Sequence, residues 1–510
     1  MAEPTKADNI NSEEKRAESF DQDPPKEGKV DTVHNDQALE VIVNYDGDRE
    51  WTEQEEKLLV RKIDKRLLLI LFLTYGLQYY DKAMLSQAAL FGLREDLDLH
   101  VSNRYSMSSS IFYLGFIAGA YPAILLAQRY SIERVIFGIV FIWGVCLILT
   151  VACVNWQGLY VQRFFLGFLE SGVSPAWMMV VGLWYKKQEQ ALRMGIWFCS
   201  TGYASMVSPL LNYGLGHITG GALAPWRYMY IFAGSITIIW AFVIYFFMPP
   251  DPVRAKGFTE RERFIAVSRM RTNNSGVRNT HFKIAQLWEI LLDVKFWLVF
   301  AMAFCIVVAN GPFSTFAPII ISQLGFSGLN SLLLLLPAGF VTGTISLVAP
   351  YCAYRFPGWR AHLVTICVSG TILASLLLWQ LPIEQVGGRL FAIYILASYG
   401  GGYAVMMSLA IANTAGYTKK SLASSGLFVG YCGGNILAPM VFKAEEAPGY
   451  KTGWITVVVT SIATALLAQV YRAICVWQNK TRDKVGAESF DNAYDDDLTD
   501  LKNPQFRYTL

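Results

Sequence analysis

Residues 158–184 read Gly-Leu-Tyr-Val-Gln-Arg-Phe-Phe-Leu-Gly-Phe-Leu-Glu-Ser-Gly-Val-Ser-Pro-Ala-Trp-Met-Met-Val-Val-Gly-Leu-Trp, an apolar run whose charged residues are Arg163 and Glu170. A helix that crosses the hydrocarbon of a bilayer needs about 20 predominantly apolar residues, and this run is long enough. Seven residues separate the two charges, about two turns, so they share one face of such a helix. A charge at the centre of a membrane helix costs about 2.5–3.5 kcal/mol on insertion scales, so a pair placed there has a functional reading by default.

The rest of the chain has the same character. Of 510 residues, 53% are hydrophobic and 16% are charged. A soluble domain carries about a quarter charged residues. The charges are also unevenly spread: residues 1–66 hold 29 of the 83, residues 249–295 hold 14, and residues 478–510 hold 12. What remains is too little for a water-facing surface, which excludes a soluble enzyme, a coiled coil or a disordered scaffold for the bulk of the chain. Apolar runs predict twelve spans, at about 67–86, 107–127, 135–154, 158–184, 194–216, 228–248, 296–322, 328–350, 361–381, 389–412, 423–442 and 452–477. The expected fold is an all-α membrane protein of twelve transmembrane helices in two pseudo-symmetric six-helix bundles, 57–248 and 296–477. A bridge at 249–295 joins them, and polar tails occupy 1–56 and 478–510.

Lys and Arg set the orientation. With the N-terminus inside, they concentrate on the cytoplasmic flanks, for instance Lys57, Arg61, Lys62, Lys65 and Arg66 before the first span. The outer loops hold Arg94, Arg104, Arg227, Arg389, Lys443 and Lys451. Both tails and the bridge are then cytoplasmic, and the glycosylation triplets beginning at Asn273 and Asn479 should be unmodified. Residues 1–56 are acidic and polar, without the apolar core of a signal peptide, and read as a disordered tail. In the bridge, Thr259 and Glu262 have capping-box spacing ahead of Phe264, Ile265 and Val267. This helix either lies on the inner membrane surface, held by Arg261, Arg263, Arg269 and Arg271, or is a solvated linker. The loops after the second and eighth spans echo each other, with Arg129 and Arg134 in one and Arg355 and Arg360 in the other. Duplicated halves with a site at their interface are how secondary transporters are built.

Four ionisable groups lie well inside the spans: Asp81, Lys82, Arg163 and Glu170. At 1.5 Å per residue, Asp81 is about 21 Å along the first span from Leu67, and Arg163 about 8 Å into the fourth from Gly158, at a comparable depth. Either the acids simply neutralise Arg163 as a packing device, or the set is a pathway. On the second reading Arg163 is a fork for a carboxylate, and a buried acid beside it can take up a proton because burial disfavours its charged form. The second half offers neutral groups: Asn310 in Asn-Gly-Pro, Asn435 after Gly-Tyr-Cys-Gly-Gly, and Gly400, Gly401 and Gly402. For these, close helix packing is the simpler reading and substrate contact the second.

These residues carry a family likeness. Leu126-Ala127-Gln128-Arg129 and Arg134 partly match the loop signature of the major facilitator superfamily. Tyr79-Tyr80-Asp81-Lys82, Arg163-Phe164-Phe165-Leu166-Gly167-Phe168-Leu169-Glu170 with Pro175, Met248-Pro249-Pro250-Asp251-Pro252, and Asn435 with Ala438-Pro439 resemble the anion:cation symporters, in particular the fungal allantoate permease-like branch. The likeness covers about 57–477. It implies proton-coupling roles for Asp81 and Glu170, substrate carboxylate binding by Arg163, and polar partners in Tyr79 and Asn435; Lys82 and, from its own sequence setting, Asn310 complete the candidate substrate site. Lys82 stands where the family usually has Arg, which keeps the charge and loses the planar fork.

The expectation is a proton-coupled importer of a small organic anion such as allantoate, nicotinate or a related vitamin or nitrogen source. It would work as a monomer in the plasma membrane, without cofactor, metal or nucleic acid. Export of an acidic fungal metabolite on the same fold is the alternative, and a non-transporting nutrient sensor the third. No nucleophile–base pair or metal motif points to an enzyme. The stretch Ser208-Pro209-Leu210-Leu211-Asn212-Tyr213 lacks the glycines of drug antiporters, and Pro-Pro-Asp-Pro after the sixth span departs from sugar porters.

Overall fold

Backbone in hydrocarbon must satisfy its own hydrogen bonds, which a helix does within one segment. The computed structural model of the chain is helical at each of the twelve expected spans. It describes residues 45–99, 104–216, 221–255, 257–271, 283–326, 333–442, 449–485 and 498–510, with a few single positions between. Most of the tail expected at 1–56 lies outside these residues, as does Asn273.

The first half comprises Glu53–Ala88, Arg104–Arg129, Ile132–Leu149, a fourth span broken into Trp156–Glu170 and Val173–Trp184, a fifth into Lys187–Phe198 and Ser200–Gly216, and Pro225–Phe247. The second comprises a seventh span in pieces from Val294–Val307 to Ala317–Ser322, then Leu336–Arg355, Arg360–Gln380, a tenth in Val386–Leu396 and Tyr399–Ala412, Tyr417–Val441 and Lys451–Val485. Among the described residues, nine of the twelve spans are long and apolar enough to cross a membrane by composition. The first, fifth and eleventh fall short because polar residues on them face other helices: Gln78 and Asp81, Ser208 and Asn212, and Ser424 and Asn435 are all buried.

Glycine brings backbones together where the halves are made and where they meet. A side chain at Gly115, Gly119 or Gly167 would run into the backbone of the facing span, so the second and fourth spans touch main chain to main chain. Between the halves, Gly202 on the fifth span approaches Gly343 and Gly339 on the eighth in the same way. The seventh span breaks just before Asn310-Gly311-Pro312: the helix stops at Val307, turns at Val308 and Ala309, resumes at Asn310 and widens into a π turn at Pro312–Phe316.

The bridge is docked on protein. Its first helix, Glu260–Arg271, starts on the expected reciprocal bonds: Thr259 N–H donates to Glu262 at 2.8 Å, and Glu262 N–H to the Thr259 hydroxyl at 3.2 Å. Phe264, Ile265 and Val267 are buried, Tyr45 stacks on Phe264, and Arg261 pairs with Glu55 at 3.0 Å. Arg269, expected to face lipid headgroups, is fully buried between Glu189 at 2.5 Å and Glu56 at 3.3 Å. The amphipathic surface helix is instead the second one, Ile284–Leu292. Its Ile284, Trp288, Leu291 and Leu292 form an exposed apolar stripe at spacings of four, seven and eight.

Candidate functional site

The site grows from one face of the first span. Tyr75, Gln78, Tyr79, Lys82 and Ser86 follow i, i+3, i+4, i+7 and i+11, one stripe of a helix. The opposite side is fixed to the fifth span: the Tyr80 hydroxyl donates to Asn212 Oδ1 at 2.8 Å and Gln87 Nε2 to the Ser208 hydroxyl at 2.9 Å. With that side anchored, the stripe faces two adjoining cavities between the halves, which share Tyr79, Lys82, Asn310 and Tyr431 in their walls. The inner one also takes in Phe198, Tyr399 and Tyr403. The outer one continues past Ser86, Tyr105 and Ser314, toward the end of the bundle opposite the bridge.

Among the described residues, Lys82 is the cation in these walls. Its ammonium lies 5.4 Å from the ring centre of Phe116, 5.6 Å from Phe112 and 6.0 Å from Tyr431, within cation–π range of all three. Its ionic partner is Glu170, 3.9 Å away. That distance is at the limit of an ion pair, and neither Glu170 carboxylate oxygen has a hydrogen-bond partner among the described residues. Glu170 is fully buried, and its backbone carbonyl accepts from Gln78 Nε2 at 3.1 Å, which ties the acid to the cavity stripe.

Arg163 sits elsewhere. It is buried inside the first half, donates to the Tyr230 hydroxyl at 2.9 Å, and is absent from the described cavity walls. Asp81 is fully buried in the same interior, with Trp143, Arg163 and Glu170 as its neighbours. The step of about 100° between successive helix residues explains the split: Lys82 faces the cavity and Asp81 turns into its own bundle.

The second half presents amides and phenols. Asn310 Nδ2 donates to Asn435 Oδ1 at 2.8 Å, Asn435 Nδ2 donates to the Tyr431 carbonyl at 2.9 Å, and the Tyr399 hydroxyl donates to Asn310 Oδ1 at 2.5 Å. Asn435 therefore spends both ends of its amide holding Asn310 and Tyr431, and stands behind the wall. Asn310 lines it. The Tyr403 hydroxyl is buried at the cavity without a partner among the described residues.

Of the residues singled out from sequence, Lys82, Tyr79 and Asn310 come together at the cavity with Glu170 against Lys82, while Asp81, Arg163 and Asn435 stand one layer back. Tyr75, Gln78, Tyr399, Tyr403 and Tyr431 were not singled out. Their signal was present: Tyr75, Gln78 and Tyr79 precede Lys82 by seven, four and three residues, and Tyr399 precedes Tyr403 by four.

Comparison with known proteins agrees with this architecture. Residues 71–441 match the Major Facilitator Superfamily. The allantoate permease of Saccharomyces cerevisiae is 32% identical over 478 residues, covering 90% of this chain and 88% of its own length. An uncharacterized transporter of Schizosaccharomyces pombe is 36% identical over 485 residues, covering 93% and 89%. The solved structure of the proton:xylose symporter XylE superposes with a TM-score of 0.64 at 15% identity, over 79% of this chain and 94% of that one, a likeness of fold. With twelve helices in two halves around a central cavity, this chain belongs to the Major Facilitator Superfamily, on a branch like that of the allantoate permease, and is a multi-pass membrane transporter and not an enzyme.

Proposed function

We propose that the protein imports a small organic carboxylate together with a proton, by alternating access of its two halves to a site at Lys82. The observation that carries this reading is the 3.9 Å approach of Lys82 to Glu170 at the wall of the central cavity. A carboxylate entering the cavity meets one cation, already held loosely by an acid of the protein. When Glu170 takes a proton, Lys82 loses that partner and is free to hold the substrate; when the proton leaves, Glu170 competes for Lys82 again and the substrate is released. Proton and anion are coupled because both act on the same ammonium.

Asp81 and Arg163 serve the coupling from within the first half, where each offsets the other's burial. The rings of Tyr75, Tyr79 and Tyr431 close around the body of the substrate, and Asn310 offers it a hydrogen bond. The charge bias of the loops supports cytoplasmic termini, and the relative named allantoate permease supports a small anionic nutrient as cargo.

The test is uptake by cells expressing the protein, across a pH series, of labelled allantoate, nicotinate, pantothenate and ureidosuccinate. Saturable uptake of one of them that rises with external acidity is the expected result, and no saturable carboxylate uptake at any pH overturns the reading. Efflux from preloaded cells in the same assay assigns direction. In the same cells Glu170→Gln should abolish accumulation above equilibrium while leaving counterflow exchange within about threefold of wild type, since a permanently neutral side chain mimics the protonated acid; equal loss of both sinks the coupling role.

A further inference from the structure

The bridge-bearing end of the bundle is covered by a segment that composition marks as tail. Residues 498–510 return to the helix ends, and three of their polar side chains, Thr499, Asp500 and Asn503, are at most 2% exposed. Polar side chains leave water only where partners are fixed for them. Asp500 has two: Lys419 at 2.8 Å and Lys295 at 3.1 Å, from the first turns of the eleventh and seventh spans. Tyr508 completes the cluster, donating to the Asp500 carboxylate at 2.9 Å and accepting from Lys295 at 2.6 Å. Burial alone would raise the Asp500 carboxyl, yet the two ammonium groups outweigh it and hold it below the usual carboxylate range. The charge that anchors the segment is therefore kept.

The same segment is sewn to two more spans. Asn479 of the twelfth exchanges two hydrogen bonds with the Tyr508 backbone, both at 2.9 Å, and Asn413 at the end of the tenth exchanges two with the Thr509 backbone, at 2.7 and 2.8 Å. All these anchors belong to the second half. The segment also reaches the first half: the Lys187 ammonium, at the head of the fifth span, lies 3.3 Å from the ring centre of Phe506. Beside it, Arg360 of the ninth span donates to the Lys187 carbonyl at 2.7 Å.

We propose that residues 498–510 form a strap that holds the two halves together at this end, and that opening of the cavity toward this side requires Phe506 to part from Lys187. The distribution of contacts fits a catch. The anchor on the second half is a buried charge cluster plus the hydrogen bonds that Asn479, Asn413, Arg482 and Arg360 make to the backbone of the segment, which stays in place as the halves rock. The grip on the first half includes a ring against a cation, a contact tolerant of geometry that can form and break within a transport cycle.

The test uses the full-length protein in membrane vesicles, with a membrane-impermeant maleimide added from the side that carries residues 498–510. Thr201→Cys places a reporter thiol in the cavity wall. Native Cys475, which shares Asn413 as a partner with Thr509, reports whether the strap is docked. Phe506→Ala should raise labelling at position 201 about three- to tenfold, the population shift expected from losing one cation–π contact, with Cys475 as protected as in wild type. Asp500→Ala should raise labelling at both. Where Asp500→Ala lowers the amount of folded protein, Asp500→Asn, which keeps the side-chain volume, replaces it. Labelling at 201 that stays at the wild-type rate while Cys475 becomes reactive overturns the proposal, since the strap would then have left without consequence for the cavity. Cys475 protected in every Asp500 variant overturns it as well, because the anchor would then lie elsewhere.

Discussion

The two halves share a helical plan and divide the chemistry between them. The first carries Asp81, Lys82, Arg163 and Glu170, and three of these four are at most 2% exposed. The second faces the same cavity with Asn310 backed by Asn435 and with the hydroxyls of Tyr399 and Tyr403. Charges in a low-dielectric interior are costly one at a time and must lie near opposites, so the first half is a set of groups that depend on each other. Amides and phenols can satisfy each other in fixed pairs, and Tyr399, Asn310 and Asn435 form such a chain of bonds. Under the proposed function, an anion in the cavity would be recognised by charge from one side and shaped from the other. Substitutions in the first half should decide whether transport occurs, and those in the second how tightly and which substrate.

The sharpest way to break that contrast is at Lys82. Lys82→Met keeps the length of the stem and removes the charge. It should lower kcat/KM for uptake on the order of 100-fold at unchanged surface abundance, since losing one partner of a buried charge pair costs about 2–5 kcal/mol. Arg163→Ala should behave differently: it strips Asp81 and the Tyr230 hydroxyl of their cation inside the bundle, and its first effect should be less protein at the surface. Quantifying uptake per surface copy for both variants separates them. Full abundance with lost uptake in Arg163→Ala would return the anion to Arg163.

That reassignment marks where sequence was informative and where it was not. The spans, the break just before Asn310-Gly311-Pro312 and the cap at Thr259 follow from apolar length, a missing N–H and local hydrogen bonding, all of which act over a few residues. Which of two adjacent charges faces a cavity depends on how the whole helix is rotated. For the first span that is set by Tyr80 and Gln87 bonding to Asn212 and Ser208 on the fifth, well over a hundred residues away. Depth along the axis was readable for Arg163, but its direction around the axis was not. Arg269 teaches the same lesson, since a basic helix reads alike on lipid or on Glu56 and Glu189. The strap was hidden for another reason: its polar composition is that of a solvated tail, and its burial rests on Lys295 and Lys419, which lie at span ends where Lys normally marks orientation.

In the second half the expected effects are smaller. Asn435→Ala removes the acceptor for Asn310 Nδ2 and the donor to the Tyr431 carbonyl. A buried donor left unsatisfied costs about 1–3 kcal/mol, so KM should rise about tenfold with kcat largely kept. A loss as large as that of Lys82→Met, with the protein still folded, would mean that Asn435 holds the substrate itself and that the contrast between the halves is false.

The smallest effects test the echo between the halves. Arg129 and Arg355 are both exposed, so the first arginine of each repeated loop has kept the same setting. The second has not: Arg134 is exposed, whereas Arg360 is 4% exposed and donates to the Ser408 and Lys187 carbonyls. A duplicated motif has thus been put to use in one copy, where it fastens the head of the fifth span to the second half. Arg360→Ala should change the transport rate several-fold by loosening that junction. Arg134→Ala should stay within about twofold, as exposed substitutions usually alter stability by no more than about 0.5 kcal/mol. Rates measured side by side, at matched surface abundance, decide the point. Equal effects would mean that Arg134 has a partner in another state of the cycle, and that the halves are more alike in motion than they are at rest.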